Sequence, residues 1–408
     1  IDKAIHYFTM ASNQNNDNAQ FLFGMFYYHN KYINKALHFL SLAANQGNPR
    51  AQFIIGLIYY QNKDVPRNIE KMLHYLFLAS NQNFSNAQFL LGVIYYEGIL
   101  VVRDISRSIY FFTLSSNQNF PYSQYYLGKI YYEGKYIERD INKAIYFLSL
   151  SSEQNFEPAL FLLGSIYYDG QYIKQDISKG IKYFTIAAEK HFPDAQNRLG
   201  HIYYDCNYRG YDVSKALRYF TQASNNNDPN SQFFLGLLYC EGENVPQNIN
   251  KGIFLLTKSS RNKYTPANFS LGYLYHEGKF IEQNIIESIH FYKEASSFNF
   301  KYAKNNLGVI YKNGFGENVS KNIGLSIEYF NEAIKQEKDP LSMYNLALIY
   351  IYEEPDMINY SIELLIKLFN NEEVQSQELL CLILMKKHGL NFKEIKKEIE
   401  KYSSMPDE

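Results

Sequence analysis

The chain has 408 residues, enough for two or three globular domains or for one long array of repeats. Its formal net charge of −1, with 20% charged residues, gives no bulk electrostatic reason to bind nucleic acid or an anionic membrane surface. No apolar run is long enough to span a bilayer, and three widely separated cysteines (Cys206, Cys240, Cys381) provide neither a disulfide framework nor a zinc ligand set.

Ile1 falls inside a repeating pattern and is not Met, so the sequence is expected to be a piece of a longer protein. The pattern is plainest at Asn86-Ala87-Gln88-Phe89-Leu90-Leu91-Gly92-Val93-Ile94-Tyr95-Tyr96-Glu97-Gly98. Its glycine returns as Gly24, Gly56, Gly128, Gly164, Gly200, Gly236, Gly272 and Gly308, with Ala347 last, and from Gly56 to Gly308 every step is 36 residues. A fixed period of this size is the mark of a repeat architecture.

Each repeat reads as two helices, A then B. Five residues before the glycine stands a small residue (Ala19, Ala51, Ala87, Ser123, Ala159), one before it a large apolar one, and three after it always Tyr (Tyr27, Tyr59, Tyr95, Tyr131, Tyr167). Positions four apart share one helical stripe. A glycine inside a helix costs about 1 kcal/mol against Ala, so its recurrence predicts a second helix passing too close for a Cβ. Helix A should end on a left-handed glycine at Gly98, Gly134, Gly170, Gly242, Gly278 and Gly314, with Asn30 and Asn62 in the same role. After a loop, Asn68, Asp104, Asp140, Asp176, Asp212, Asn248, Asn284 and Asn322 are placed to cap helix B. Helix B reads Lys143-Ala144-Ile145-Tyr146-Phe147 with a small pair, Ser151-Ser152, one turn on, and its equivalents begin at Lys3-Ala4-Ile5. The small pair should admit the helix of the next repeat. Length changes fall on connections, near Lys35 and near Phe315, as real helical repeats require. Beyond Tyr352 the pattern weakens: Ile362 to Phe369 still reads as helix B, and a last amphipathic helix with Phe392, Ile395 and Ile399 on one face reads as a C-terminal cap. No compositional break divides the array.

The order small-x-x-x-Leu-Gly-x-x-Tyr-x-x-Gly, a loop with Asp, then Lys-Ala-x-x-x-Phe and a small pair, resembles the Sel-1-like repeat, a tetratricopeptide-related family. Asn86–Asn119 and Tyr122–Asn155 follow it nearly throughout, while Cys206, Asn197-Arg198 and Ala347 depart from it. The resemblance implies an all-α, superhelical α/α solenoid of about ten repeats of ~36 residues, over residues 1–370, with a degenerate last repeat and capping helix over 371–408. It implies adaptor or scaffold roles, no catalysis, and no transferable set of functional residues.

In two-helix solenoids helix A lines the inner wall, so two aromatic rows are the candidate protein-binding residues. One stands three before the glycine and includes Phe89, Tyr125 and Phe161. The other stands four after it: Tyr28, Tyr60, Tyr96, Tyr132, Tyr168 and Tyr204, giving way to Cys240, His276 and Lys312. Aromatic residues dominate interface energetics, but the same rings could serve only to join neighbouring A helices. The glutamines one residue before the first row (Gln20, Gln52, Gln88, Gln124, Gln196, Gln232) read either as ligand donors or, by preference, as bonds between repeats. His38, His74 and His290 share one helix B position and read as surface residues, not metal ligands. Gly314-Phe315-Gly316 reads as a lengthened cap loop, not a phosphate cradle. Of the four N-x-S/T sequons, Asn268 should lie on a packed helix.

The expectation is therefore a non-enzymatic scaffold for a protein or peptide partner in its groove, without cofactor or metal, in the cytoplasm. Two rivals stand beside it. One is the regulatory arm of an enzyme, such as a protein kinase, whose catalytic domain lies upstream. The other is a quality-control adaptor of the endoplasmic reticulum lumen, which needs an upstream signal peptide and which the unpaired cysteines disfavour.

Overall fold

The computed structural model describes residues 15–61, 65–242 and 245–369. Among these residues there are twenty α-helices, one 3₁₀ turn and no strand. The chain divides into two compact units, Ile1–Leu199 and Gly200–Glu408. In the first, A and B helices alternate as α1 (Asp17–His29) and α2 (Ile33–Asn45), α3 (Pro49–Gln61) and α4 (Ile69–Asn81), α5 (Ser85–Glu97) and α6 (Ile105–Ser116), α7 (Pro121–Glu133) and α8 (Ile141–Glu153), then α9 (Glu157–Asp169) and α10 (Ile177–Glu189). Helix α11 (Pro193–Tyr204) carries the division. The second unit continues with α12 (Val213–Asn225), α13 (Pro229–Glu241), α14 (Ile249–Arg261), α15 (Thr265–Glu277), α16 (Ile285–Ser297), α17 (Lys301–Asn313), α18 (Ile323–Glu337), α19 (Pro340–Tyr352) and α20 (Ile358–Phe369). The expected B helix at Ile362–Phe369 is thus present, while the first B helix (Lys3-Ala4-Ile5), Asn62 and the capping helix over 371–408 lie outside the described residues.

The glycine reading holds at every described site. A Cβ added to Gly92 would lie 2.5 Å from the Phe112 ring, one on Gly128 2.5 Å from Leu148 Cγ, and one on Gly236 2.7 Å from Leu256 Cγ. Those B-helix side chains are fully buried, so they have no room to yield. The B helix is small where it crosses: Ala36, Ala144 and Ala216 are fully buried there. Where serine replaces alanine, its hydroxyl donates to the glycine carbonyl, Ser108 to Gly92 at 2.8 Å and Ser288 to Gly272 at 2.8 Å. Met72 is a larger exception in α4. Each pair shares its core with the next: one buried cluster joins Met72 and Leu76 of α4, Leu91 and Ile94 of α5, and Phe111 of α6.

Capping follows the sequence at the start of helix B and departs from it at two helix ends. All eight Asp/Asn caps accept a hydrogen bond from the backbone N–H three residues on, Asp104 from Arg107 and Asp140 from Lys143 each at 2.9 Å. Gly98, Gly134, Gly170, Gly242 and Gly278 take the left-handed conformation. Gly314 does not: at φ 68° and ψ 168° it turns the chain into an extended loop closed by the Phe315–Val319 bridge. Asn30 is at φ −85°, and the positive φ falls one residue later, on Lys31. A second left-handed series closes the B helices at Asn83, Asn119, Asn155, His191, Asn227, Lys263 and Asn299. Its signal was the Asn that recurs two residues before the next A helix, at Asn83, Asn119, Asn155, Asn227 and Asn299, since Asn tolerates that conformation.

The invariant tyrosine three after the glycine is held from two sides. Tyr131 stacks on Phe147 with ring centroids 6.0 Å apart and an interplanar angle of 5°, and Tyr203 lies likewise on Tyr219 at 5.8 Å. The first-turn cation of helix B covers the ring: Lys143 Nζ lies 5.2 Å from the Tyr131 centroid and Lys179 Nζ 3.9 Å from that of Tyr167.

Two glycine replacements separate crossing from propensity. Gly92→Ala must displace Phe112 and is expected to cost about 1–3 kcal/mol, whereas at Gly324 the added Cβ meets only Asn322 Oδ1 at 3.7 Å. There the alanine should stabilise by about 0.5–1 kcal/mol. Urea unfolding of the two variants checks both signs.

Candidate protein-binding surface

Both candidate rows lie half-buried between consecutive A helices. In the first row Phe89 meets Phe120 at 5.4 Å and Tyr126 at 5.7 Å, Tyr125 meets Phe156 at 5.5 Å, and Phe161 meets Phe192 at 5.7 Å. Phe120, Phe156 and Phe192 immediately precede the next A helix. Each therefore staples one repeat to the one before. These aromatic positions were legible as the Phe that recurs at the 36-residue period just before each A helix (Phe120, Phe156, Phe192) but were not singled out.

In the second row two hydroxyls find partners on the following A helix. Tyr28 Oη donates to Gln61 Oε1 at 3.2 Å and Tyr96 Oη to Glu133 Oε2 at 3.3 Å. Burial, then the Glu133 charge, pushes the Tyr96 phenol up to about 12. Burial and then Glu97 raise Tyr60, and burial and then Asp169 raise Tyr132. The tyrosine of one A helix thus lies near the last residue of the next. Tyr96 also stands edge-on to Tyr126 at 5.9 Å and Tyr136 at 6.3 Å, and Tyr132 edge-on to Tyr172 at 6.2 Å. Tyr168 faces Phe184 at 6.0 Å, and Tyr204 packs against the cluster of Ala216 and Phe220.

Behind the rows the glutamines tie repeat to repeat. Gln88 is buried, its amide donates to the Ser80 carbonyl of the preceding B helix at 3.2 Å, and its oxygen accepts from Gln118 at 2.6 Å. Gln52 does the same with Ala44 and Gln82 at 3.1 and 2.8 Å. Every such bond satisfies a buried polar group, so the row is internal.

The second unit carries a different row. Cys240 is buried and its thiol is pushed by burial to about 11. His276 stands edge-on to Phe315 at 5.4 Å and is lowered by burial, as is Lys312. Among the described residues no three His, Cys, Asp or Glu side chains gather as metal ligands, and His38, His74 and His290 are exposed. Asn268 is buried and accepts from the Ser260 hydroxyl. No helix among the described residues is long and apolar enough to cross a membrane.

The Sel1 repeat profile matches residues 1–16, 19–48, 49–84, 85–120, 121–156, 157–192, 193–228, 229–264, 265–297, 301–338 and 340–364, so the chain belongs to the Sel1 repeat family. Among solved structures it is similar to c5321, a protective antigen of uropathogenic Escherichia coli strains displaying an SLR fold, with a TM-score of 0.71 and 21% identity over 90% of this chain and 79% of that one. A Sel1 repeat protein from Oxalobacter formigenes is similar with a TM-score of 0.61 and 23% identity, over 75% of this chain and 89% of that one. No curated protein matches the chain. These likenesses establish an all-α Sel1 solenoid, a fold that is typically a non-catalytic scaffold in a family that generally mediates protein–protein interaction.

Two measurements probe the interior described here. Gln88→Ala should cost about 1–3 kcal/mol, because it removes the buried bonds to Ser80 and Gln118 and opens a void, although the Ser80 carbonyl keeps its backbone bond from Asn83, while Gln118→Ala at the exposed partner should cost less. In a Cys381→Ser background, Ellman's reagent at pH 8 should label the exposed Cys206 at once and Cys240 only after unfolding.

Proposed function

We propose that this chain is a non-enzymatic interaction scaffold and that the A-helix face of its first unit holds a protein or peptide partner. The observation that supports this reading is that both aromatic rows stay half-buried after packing between repeats. Tyr28, Tyr60, Tyr96, Tyr132 and Tyr168, with Phe89, Tyr125 and Phe161, keep ring surface available on one face. Such rigid rings give large contact area at low cost in side-chain entropy, and Tyr204 holds the equivalent repeat position within the second unit. The non-enzymatic reading rests on the family's fold.

The test is capture from a lysate of the source cells by the full chain and by the Tyr96→Ala/Tyr132→Ala/Tyr168→Ala variant. The variant also loses the Tyr96–Glu133 bond, so its thermal unfolding must be followed alongside. A lower melting temperature with a folded baseline at the assay temperature, and loss of a captured protein, is expected. Equal capture by both folded baits rejects the face.

A further inference from the structure

Arg198 is a departure from the repeat that packing does not require. It occupies the position two before the glycine, where the preceding A helices carry Leu22, Ile54, Leu90, Tyr126 and Leu162. Its guanidinium lies 5.1 Å from the centroid of the Tyr168 ring, and its Nη2 donates to Asp169 Oδ1 at 2.8 Å. Tyr168 and Asp169 are the positions four and five after Gly164. One cation is therefore held by an aromatic ring and the carboxylate next to it in sequence, a combination of cation–π attraction and a charge-assisted hydrogen bond.

A tyrosine followed by a carboxylate, here glutamate in place of aspartate, stands at Tyr96-Glu97 in α5 and Tyr132-Glu133 in α7. There the following A helix supplies Tyr126 or Leu162 instead of an arginine. Among the described residues no cationic side chain lies within 4.0 Å of the Glu97 carboxylate. Glu133 accepts from Tyr96 and has Lys129 of its own helix at 3.7 Å. The arginines at these helix ends bond to the backbone and not to the carboxylates: Arg103 donates to the Tyr96 and Glu97 carbonyls at 3.0 and 2.9 Å and lies over the Tyr136 ring, and Arg139 donates to those of Tyr132 and Glu133 at 2.8 and 3.0 Å and lies over the Tyr172 ring. An acid at the last residue of a helix opposes the helix dipole, so helix stability does not call for Glu97 or Glu133.

We infer that Tyr96-Glu97 and Tyr132-Glu133 receive basic side chains of a bound peptide, arginine above all, in the way that Tyr168-Asp169 receives Arg198. The inference rests on the A-face reading and names the partner's chemistry: a peptide carrying arginine or lysine. Arg198 acts as an internal occupant of the third site; in the free chain the Glu97 carboxylate has no cation among the described residues, and a ligand cation at Glu133 would share that carboxylate with Tyr96 and Lys129.

The experiment is selection of a random peptide display library on the full chain, on Glu97→Gln/Glu133→Gln, and on Arg198→Ala, each checked for folding by circular dichroism melts. Selected peptides should be enriched in arginine and lysine. Their binding should fall about tenfold or more on the double glutamine variant, which keeps shape and hydrogen bonding but not charge. Arg198→Ala, which frees the third site, should bind them more tightly. Basic peptides indifferent to the double variant, or no basic enrichment, overturn the assignment. Neutral or acidic peptides that depend on the Tyr96 and Tyr132 rings overturn it while leaving the A-face reading intact. Failure to select any peptide overturns both.

Discussion

The absence of a Cβ at Gly92 fixes the distance between two helices, and most of the structure depends on that distance. With Phe112 seated where a methyl would stand, α5 and α6 cross close enough for the Ser108 hydroxyl to reach the Gly92 carbonyl. The contact demands a large buried residue and a small one, one turn apart, on every B helix. Met72 is tolerated because the crossing is matched by volume and not by a fixed residue type. Once the crossing is set, the tyrosine three residues on reaches helix B, stacking on its aromatic where there is one, as Tyr131 on Phe147, and lying under its first-turn cation where there is one, as Tyr167 under Lys179.

Joining one pair to the next uses different chemistry. The buried glutamines bond backwards to one B helix and forwards to the return turn after the next, and an unpaired member would cost more than its bond contributes. Outside them, the return-turn aromatics staple each repeat to the ring three before the preceding glycine. Each repeat thus touches its neighbours through one polar row and one aromatic row, as expected of a quasi-one-dimensional stack. The rings on the A face belong to both tasks. Tyr96 presents a ring to solvent while its hydroxyl ties α5 to Glu133 of α7, so binding there and repeat–repeat stability are coupled.

Individuality lies where the regular frame is broken. Lys304 takes the glutamine position in α17 and, almost wholly buried, pairs with Glu332 at 3.2 Å. His276 replaces a tyrosine and is clasped by Phe315. Arg198 replaces an apolar residue and occupies a tyrosine–carboxylate pair from within. None of these alters the helices, because each sits at the margin of the stripe that the glycine crossing needs.

Much of the fold was legible in the residues alone because one local rule recurs: period, crossing glycine, Asp/Asn cap and left-handed glycine are each set by neighbours a few residues away. Gly314 and Asn30 escaped that rule because the loops beyond them differ in length, and loop closure chose their dihedrals. The candidate rings were identifiable as a face, but not how far each was covered. Whether Gln88 meets a ligand or Gln118, or Tyr96 meets water or Glu133, depends on residues thirty or more positions away. Sequence determined the repeat because its helices are local. Tertiary structure decided the surface, because exposure is what remains after neighbouring repeats have packed.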